Sequence, residues 1–495
     1  MKILLINPPR TYYPGSAPPT GGFPLGLLYI AAMLDKAGYE VKILDALIDN
    51  SPPRREGDAK HVGMPWDKMK EEIRRSQPDM VGITCPFSTQ ADNAIKVAQI
   101  VKEISPQISV IVGGPHASAI PTQFLKEAGA IDVVVRGEGE QTMLDIVEHY
   151  LGMREIPEIK GIAYRKDGEL IVNPARDFIT YLDGLPLPAY HLIDMEKYLN
   201  PGHLRYRAPK FLREIPMITS RGCPFNCVFC SIHLHMGKRW RAHSPEYVIA
   251  HIDYVVNKYG VQHIHFEDDN LTLDPKRFED ILDGLNDKAI KITWDVPNGI
   301  RADKVSLRLL TKMKGAGCTK LTIGVESGDQ AVLNGIIDKH LCLEDVVETA
   351  KMCRYAGMPL EAFYVIGFPG EKRENMEKTI DFGLKLQKDY GVSMDVLVAT
   401  PLYGTRLYEI CQQGGYFARE LSPRALSEAT QPWGRGLIRT EDFTAEEVNR
   451  LARKALTHRT RFSLLQYLKH PGRMVKLAYA YPGEAFRFLG RLMRI

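Results

Sequence analysis

The sequence predicts an α/β protein in three parts: a doubly wound parallel sheet in residues 1–152, a partial (β/α)6 barrel in residues 213–412 and a basic helical region in residues 413–495, with residues 153–212 as a connector. Three observations predict it. Short runs rich in Val and Ile alternate with helical patterns, five times before the connector and six times after it. In the first part these runs are apolar at consecutive positions, which suits parallel strands covered on both faces. The chain of 495 residues is also too long for one ordinary domain of about 150 residues.

In the first part the expected strands are Ile3–Ile6, Val41–Leu44, Met80–Thr84, Val110–Val112 and Val133–Val135. A doubly wound sheet binds its ligand outside the carboxyl ends of its strands. Here those ends are Asn7–Gly22, Thr84–Gln90, Gly113–Ser118 and Arg136–Glu140. Two of them, Gly113-Gly114-Pro115-His116-Ala117-Ser118 and Arg136-Gly137-Glu138-Gly139-Glu140, are glycine-rich, and glycine lets backbone approach a bulky ligand closely. The connector holds a hairpin pattern around Asp167-Gly168, between Ile162 and Val172, and then an extended linker from Leu182 to Pro188.

In the barrel the expected strands are Met217–Thr219, His263–Phe266, Ile292–Val296, Leu321–Val325, Ala362–Ile366 and Met394–Ala399. Barrel chemistry sits on loops at the carboxyl ends of such strands. The first loop carries Cys223, Cys227 and Cys230 at C-x3-C-x2-C spacing, with no further cysteine until Cys318. Three thiolates can hold three corners of a four-iron, four-sulfur (4Fe-4S) cube, leaving one iron open to an amine and a carboxylate. A structural zinc with His233 or His235 as fourth ligand is the other reading. Zinc frameworks usually pair two arms from separate segments, and no second arm is visible. Cys85, Cys318, Cys342, Cys353 and Cys411 stand alone and read as small buried hydrophobes.

Later strands end in Glu267-Asp268-Asp269-Asn270, Asn298-Gly299-Ile300-Arg301, Ile323-Gly324-Val325-Glu326-Ser327-Gly328, Gly367-Phe368-Pro369-Gly370 and Ala399-Thr400-Pro401. With the cysteine loop, these segments resemble the cobalamin-dependent branch of the radical S-adenosylmethionine (SAM) enzymes. The resemblance implies a Rossmann-like cobalamin-binding domain followed by a TIM-type radical SAM barrel. It implies that SAM occupies the open iron and is split by one electron to methionine and a 5′-deoxyadenosyl radical. Phe229, Asp268, Arg301, Glu326, Ser327, Gly367, Pro369 and Thr400 are then expected around SAM. Thr84, Ser88, Gly113, Gly114, Pro115, His116, Gly137, Glu138, Gly139 and Glu140 are expected around cobalamin. One departure from the wider cobalamin-binding group is that the loop Asn7–Tyr13 has no histidine to place under cobalt, and His61 stands elsewhere.

The same resemblance implies methylation at an unactivated carbon of a small-molecule or lipid substrate. Its alternative is cyclisation or oxidation of the kind performed by the anaerobic magnesium-protoporphyrin monomethyl ester cyclase. A donor such as flavodoxin or ferredoxin would supply the electron.

The start of the chain lacks the basic and apolar regions of an export signal, and no apolar run reaches the roughly 18 residues of a membrane span, so a cytoplasmic enzyme is expected. From Arg450 onward there are eleven Lys and Arg against the single acid Glu484, interleaved with aromatics. Such a tail suits the inner face of a membrane carrying anionic lipids. It equally suits a helix whose apolar face covers the barrel. Nucleic acid is not expected, because no recognisable RNA or DNA module accompanies the charge.

Overall fold

The computed structural model describes residues 1–16, 22–199, 212–429 and 433–469, without the side chains of 462–469. In the N-terminal sheet β1 (Lys2–Asn7), β2 (Glu40–Asp45), β3 (Met80–Thr84), β4 (Ser109–Gly113) and β5 (Val133–Val135) run parallel in the order 2-1-3-4-5. The chain reverses direction across the sheet between β1 and β3, which is where doubly wound folds open a ligand crevice. Two antiparallel strands, β6 (Ile162–Lys166) and β7 (Glu169–Val172), extend the sheet beyond β5, so the expected hairpin is an edge of this sheet.

The apolar runs are continuous because both faces are covered. Leu4, Ile6, Val81 and Val110 point to the side carrying α2 (Trp66–Ser76) and α3 (Ala91–Ile104). Ile3, Leu5, Met80 and Ile111 point to the side carrying α1 (Leu25–Lys36) and α4 (Glu140–Tyr150). Residues Ile3 to Ile6 are each at most 2% exposed. Burial of such side chains contributes about 1.5–3 kcal/mol apiece.

The second sheet is β8 (Glu214–Met217), β9 (His263–Phe266), β10 (Thr293–Asp295), β11 (Cys318–Glu326), β12 (Leu360–Ile366) and β13 (Ser393–Val398), all parallel and in chain order. Among the described residues β8 and β13 do not pair, so the barrel is partial. The first barrel strand was expected at Met217–Thr219 and lies earlier, because Glu214 is buried where sequence polarity argues for a loop. Its carboxylate is held 3.2 Å from His265 Nε2.

Helix α5 (Arg373–Tyr390) backs β12 and β13, and α6 (Ala445–Lys469) covers the β13 side. Val448, Leu451, Ala452 and Ala455 of α6 are buried. Arg459 donates to the Met394 carbonyl and pairs with Asp395. The apolar face at the start of the basic tail therefore covers the barrel, while Arg450, Arg453, Lys454 and Arg461 are exposed on the other side; residues 470–495 lie outside the described residues. No helix among the described residues is long and apolar enough to cross a membrane.

Candidate active site between the two sheets

The carboxyl ends of both sheets face one cavity of about 490 Å³. Asn7, Thr84, Gly113 and Val135 reach it from β1, β3, β4 and β5, while Ile218, Glu267 and Asn298 reach it from the ends of β8, β9 and β10. Its wall is mostly apolar, with Leu5, Leu25, Ile30 and Phe87 among the lining side chains. Of the residues expected around cobalamin, Thr84, Gly113, Gly114, Pro115 and Gly137 to Glu140 line it. Ser88 and His116 do not; they bond to each other at 2.9 Å, and burial pushes the His116 imidazole down to about 4.

Close packing explains the glycines. Gly114 has φ +110°, and a Cβ there would sit 2.9 Å from the Cys85 carbonyl oxygen. The Ser118 hydroxyl donates to Gly114 O and accepts from Gly137 N, both at 3.0 Å, tying the two glycine-rich loops together. His61 is buried in a small antiparallel ribbon with Nε2 2.9 Å from Met64 O, away from this wall. The histidine on the cavity wall is His235, from the cysteine loop; its Nδ1 is buried without a hydrogen-bond partner among the described residues, and burial pushes the ring down to about 4.

The cysteine loop begins at Gly222, with φ +82° and space so tight that a Cβ would lie 2.5 Å from Arg239 O. Gly222 N donates to Asp269 at 2.8 Å. Burial pushes the Asp269 carboxyl up to about 7, against the lowering effect of that bond. Val228 N donates to Ile337 O and Val228 O accepts from Leu407 N, which seats the loop over the open side of the barrel. Cys223, Cys227 and Cys230 are free, half-buried and within electrostatic reach of one another. Burial raises all three thiols, Cys230 to about 12, and a bound cation favours their thiolate form. His233 Nε2 lies 3.1 Å from the Cys223 carbonyl, and Asn270 Nδ2 lies 4.0 Å from Cys223 Sγ.

Around the loop, several side chains expected to touch SAM also bond to protein. Asp268 accepts from Thr219 N, Thr219 Oγ1 and Ser220 Oγ, stapling the end of β8 to that of β9. Arg301 donates to Asp303 and to the carbonyls of Lys339 and His340, and its guanidinium lies 3.8 Å over the Phe225 ring. Ser327 is buried against Thr379 of α5 at 2.9 Å. Gly367 N and Phe368 N donate to Glu371, while Thr400 Oγ1 turns back to Val398 O. Pro369 is half-buried in the same turn as Phe368, whose ring packs 5.9 Å from that of Phe229.

Glu326 is different. It sits at a β-bulge with φ +69°, in a backbone state that bulky residues rarely hold. Its Oε1 accepts from Lys339 Nζ at 2.9 Å, beside Cys227. Burial opposes the Lys339 charge, but Glu326 and Cys227 hold its pKa above the ordinary value. Lys339 lies between two further residues of positive φ, Asp338 and His340. Sequence reasoning missed Lys339, which has no signal in spacing.

Glu267, next to Asp268, lines the cavity, and the alternation along β9 is a usable signal for it. His263, His265 and Glu267 share one parity, and His263 and His265 point into the barrel. Cys342, expected to be buried, is exposed and donates to Glu344 at 2.7 Å.

Residues 18–147 match the B12 binding domain family and residues 217–383 match the radical SAM superfamily. An uncharacterized methyltransferase of Pyrococcus horikoshii is 33% identical over 489 residues, 97% of this chain and 97% of that one. This chain belongs to the cobalamin-binding radical SAM family. Cytidylyl-2-hydroxyethylphosphonate methyltransferase of Streptomyces wedmorensis is 31% identical over 92% of this chain and 89% of its own. Among solved structures, the cobalamin-dependent SAM radical enzyme OxsB, with aqua-cobalamin and SAM bound, has a TM-score of 0.71. It is 18% identical, and the match covers 100% of this chain and 70% of OxsB, which supports the fold. As a member of the cobalamin-binding radical SAM family, the chain is an enzyme that uses a 4Fe-4S cluster, SAM and cobalamin. The residues present suit those groups: three free thiols on a loop that glycine alone can begin, and a glycine-walled cavity at the strand ends.

Proposed function

We propose that the protein is a methyltransferase acting on an unactivated carbon of a small-molecule or lipid substrate. The observation that carries this reading is the single cavity shared by the strand ends of both sheets, which brings cobalamin-side glycines and cluster-side residues to one wall. When bound, the cofactors supply one-electron cleavage of SAM and a transferable methyl group. Cys223, Cys227 and Cys230 hold the cluster, and Phe229, packed on Phe368, keeps water from it. Glu326 and Lys339 offer a carboxylate and an ammonium beside Cys227, complementary to the charged amino-acid end of SAM. Glu267, Asn298, His235 and Arg221 are the polar residues that the barrel side brings to the wall, and its apolar remainder suits a carbon skeleton.

Residues 1–152, 153–212, 213–412 and 413–495 remain our functional division, with the hairpin of the connector built into the first sheet. A flavodoxin- or ferredoxin-type donor reduces the cluster, and contact with an anionic membrane would involve the basic tail from Arg450 onward.

Two measurements test the proposal. The variant C223A/C227A/C230A should lose its brown colour and all SAM cleavage, and retained cleavage overturns the cluster assignment. Metabolites from cells with and without the gene should differ by one added methylene. A dehydrogenated or cyclised product of unchanged carbon count would replace methyl transfer with the cyclase reading.

A further inference from the structure

The loop Gly137–Glu140 turns two faces to two different neighbours. Its four residues line the cavity, and its carboxylates reach out of the N-terminal domain to grip the stem of the cysteine loop. That stem is a short antiparallel ribbon in which Ser220–Arg221 pairs with Arg241–Ala242, Arg221 opposite Arg241. Residues 222–240 are therefore a closed loop with two guanidinium groups at its base.

Arg221 donates to Glu138 at 2.9 Å and to Glu140 at 2.7 Å, while Arg241 donates to both oxygens of Glu138 at 2.8 and 2.9 Å. The four side chains are at most 6% exposed. Two cations and two anions balance, and each guanidinium has an aromatic ring beside it: Tyr29 for Arg221 at 5.2 Å and Phe178 for Arg241 at 5.1 Å. Arg241 also donates to Met236 O, inside the loop.

At these positions the carboxylates cannot move without unpairing buried charge, which strongly disfavours any independent motion of the two loops. The backbone on the cavity side is equally constrained. Gly137 N is fixed to Ser118, and Gly139 packs so closely on Ile30 that a Cβ would be 2.9 Å from its Cδ1.

We infer that Glu138 and Glu140 are positioning residues that couple corrinoid binding in the cavity to the conformation of the cysteine loop. The inference rests on the cobalamin reading of the cavity. A ligand that orders the Gly137–Glu140 backbone orders the loop carrying Cys223, Cys227 and Cys230, and cluster assembly on that loop strengthens corrinoid binding by the same factor, because such coupling is reciprocal.

Hydroxocobalamin affinity, measured anaerobically by equilibrium dialysis, tests the coupling in cluster-loaded protein and in C223A/C227A/C230A. Loaded protein should bind at least about fivefold more tightly, the lower end of ordinary allosteric coupling. In Glu138→Gln, compared with and without the cluster, the ratio should fall to about one. In Glu140→Gln, which removes one bond and leaves those of Glu138, it should be intermediate.

A ratio of one in the otherwise wild-type pair, or an undiminished ratio in Glu138→Gln, overturns the inference. Amide hydrogen exchange in corrinoid-free protein provides an arm that is independent of cobalamin. Residues 222–240 should exchange faster in Glu138→Gln while β9 to β13 stay protected, and unchanged exchange in that loop also overturns the clamp. If the wild type binds no hydroxocobalamin, the cobalamin reading fails and the exchange measurement still decides whether the carboxylates hold the loop.

Discussion

The two rims of the cavity are built in opposite ways. The N-terminal rim presents glycine backbone: Gly113, Gly114, Gly137 and Gly139 stand on the wall, and the carboxylates of its last loop are paired with Arg221 and Arg241. The barrel rim presents side chains, and most of its polar ones are held by protein before any ligand arrives. Asp268 staples two strand ends, Arg301 props the cysteine loop through Phe225 and Ser327 fastens α5. A flat, many-armed ligand needs room and close backbone approach, whereas a cluster with an open iron needs thiols held in one geometry. The glycines meet the first need. The buried hydrogen bonds around the cysteine loop meet the second.

Matched glycine substitutions are the sharpest way to break this comparison. Gly222 and Gly114 both have positive φ and both face backbone at closer than 3 Å through an added Cβ. The left-handed backbone alone costs about 1–2 kcal/mol with a side chain, and the clash adds to it. Gly222→Ala should lose most of its bound iron after reconstitution. Gly114→Ala should keep most of its iron and lose the bound corrinoid absorbance. Equal loss of both cofactors in both variants would mean that the rims are not separate devices.

A smaller effect is expected where a side chain of ligand type serves the scaffold. Ser327→Ala removes a buried hydroxyl pair and leaves Thr379 with one partner fewer, at a cost of about 1–3 kcal/mol in unfolding free energy. SAM affinity, measured by equilibrium dialysis on reconstituted protein, should change less than about threefold, which is under 1 kcal/mol. Glu326→Gln, at the strained bulge beside Cys227, should weaken SAM binding by more than tenfold, about 1.4 kcal/mol. The reverse pattern would return Ser327 to the site and remove Glu326 from it.

The division between ligand and scaffold follows what spacing can express. Cys223, Cys227 and Cys230 are legible because their geometry is local, and the strands are legible because burial on both faces writes continuous apolar runs. The arginine partners of Glu138 and Glu140 lie 81 to 103 residues away, so no local pattern in Gly-Glu-Gly-Glu distinguishes a corrin contact from a clamp. Parity along β9 points to Glu267, yet acidic composition draws attention to Asp268. Glu326 escapes the parity rule, since the bulge after Gly324 shifts the register. Lys339 is tied to Glu326 only through the tertiary fold.

Below the rim, the barrel floor carries charge that no ligand in the cavity reaches, and its pH dependence gives the smallest expected effect. His265 lies 2.7 Å from Asp295 and 3.2 Å from Glu214. Burial alone would push His265 down, but those carboxylates hold it above its ordinary value, and the two histidines hold Asp295 below the usual carboxylate range against burial. Outside the barrel, burial pushes His243 down to about 4 and His251 to about 3; the first stacks on Tyr247 and the second lies 2.9 Å from the Tyr190 hydroxyl. The signs are opposite. A raised histidine stabilises fully below about 6.5 and loses that contribution as pH rises through its folded value, whereas a lowered one makes the unfolded chain the better proton acceptor as pH falls below about 6.5. Four histidines are strongly lowered (His116, His235, His243 and His251) against one raised, and the buried carboxyls of Asp269 and Glu371, pushed up to about 7, oppose them, so urea unfolding should show the wild type less stable at pH 5.5 than at pH 7.5 by no more than about 1 kcal/mol. His251→Asn, which keeps a polar partner for Tyr190 and cannot take up a proton, should flatten part of that slope. The deficit of His265→Asn relative to the wild type should be larger at pH 5.5 than at pH 8.5, because the imidazolium between Asp295 and Glu214 is then fully formed. A His265→Asn deficit that is the same at pH 5.5 and pH 8.5 would show that no imidazolium forms between the two carboxylates, and the floor would have to be redrawn as a neutral hydrogen-bonded layer.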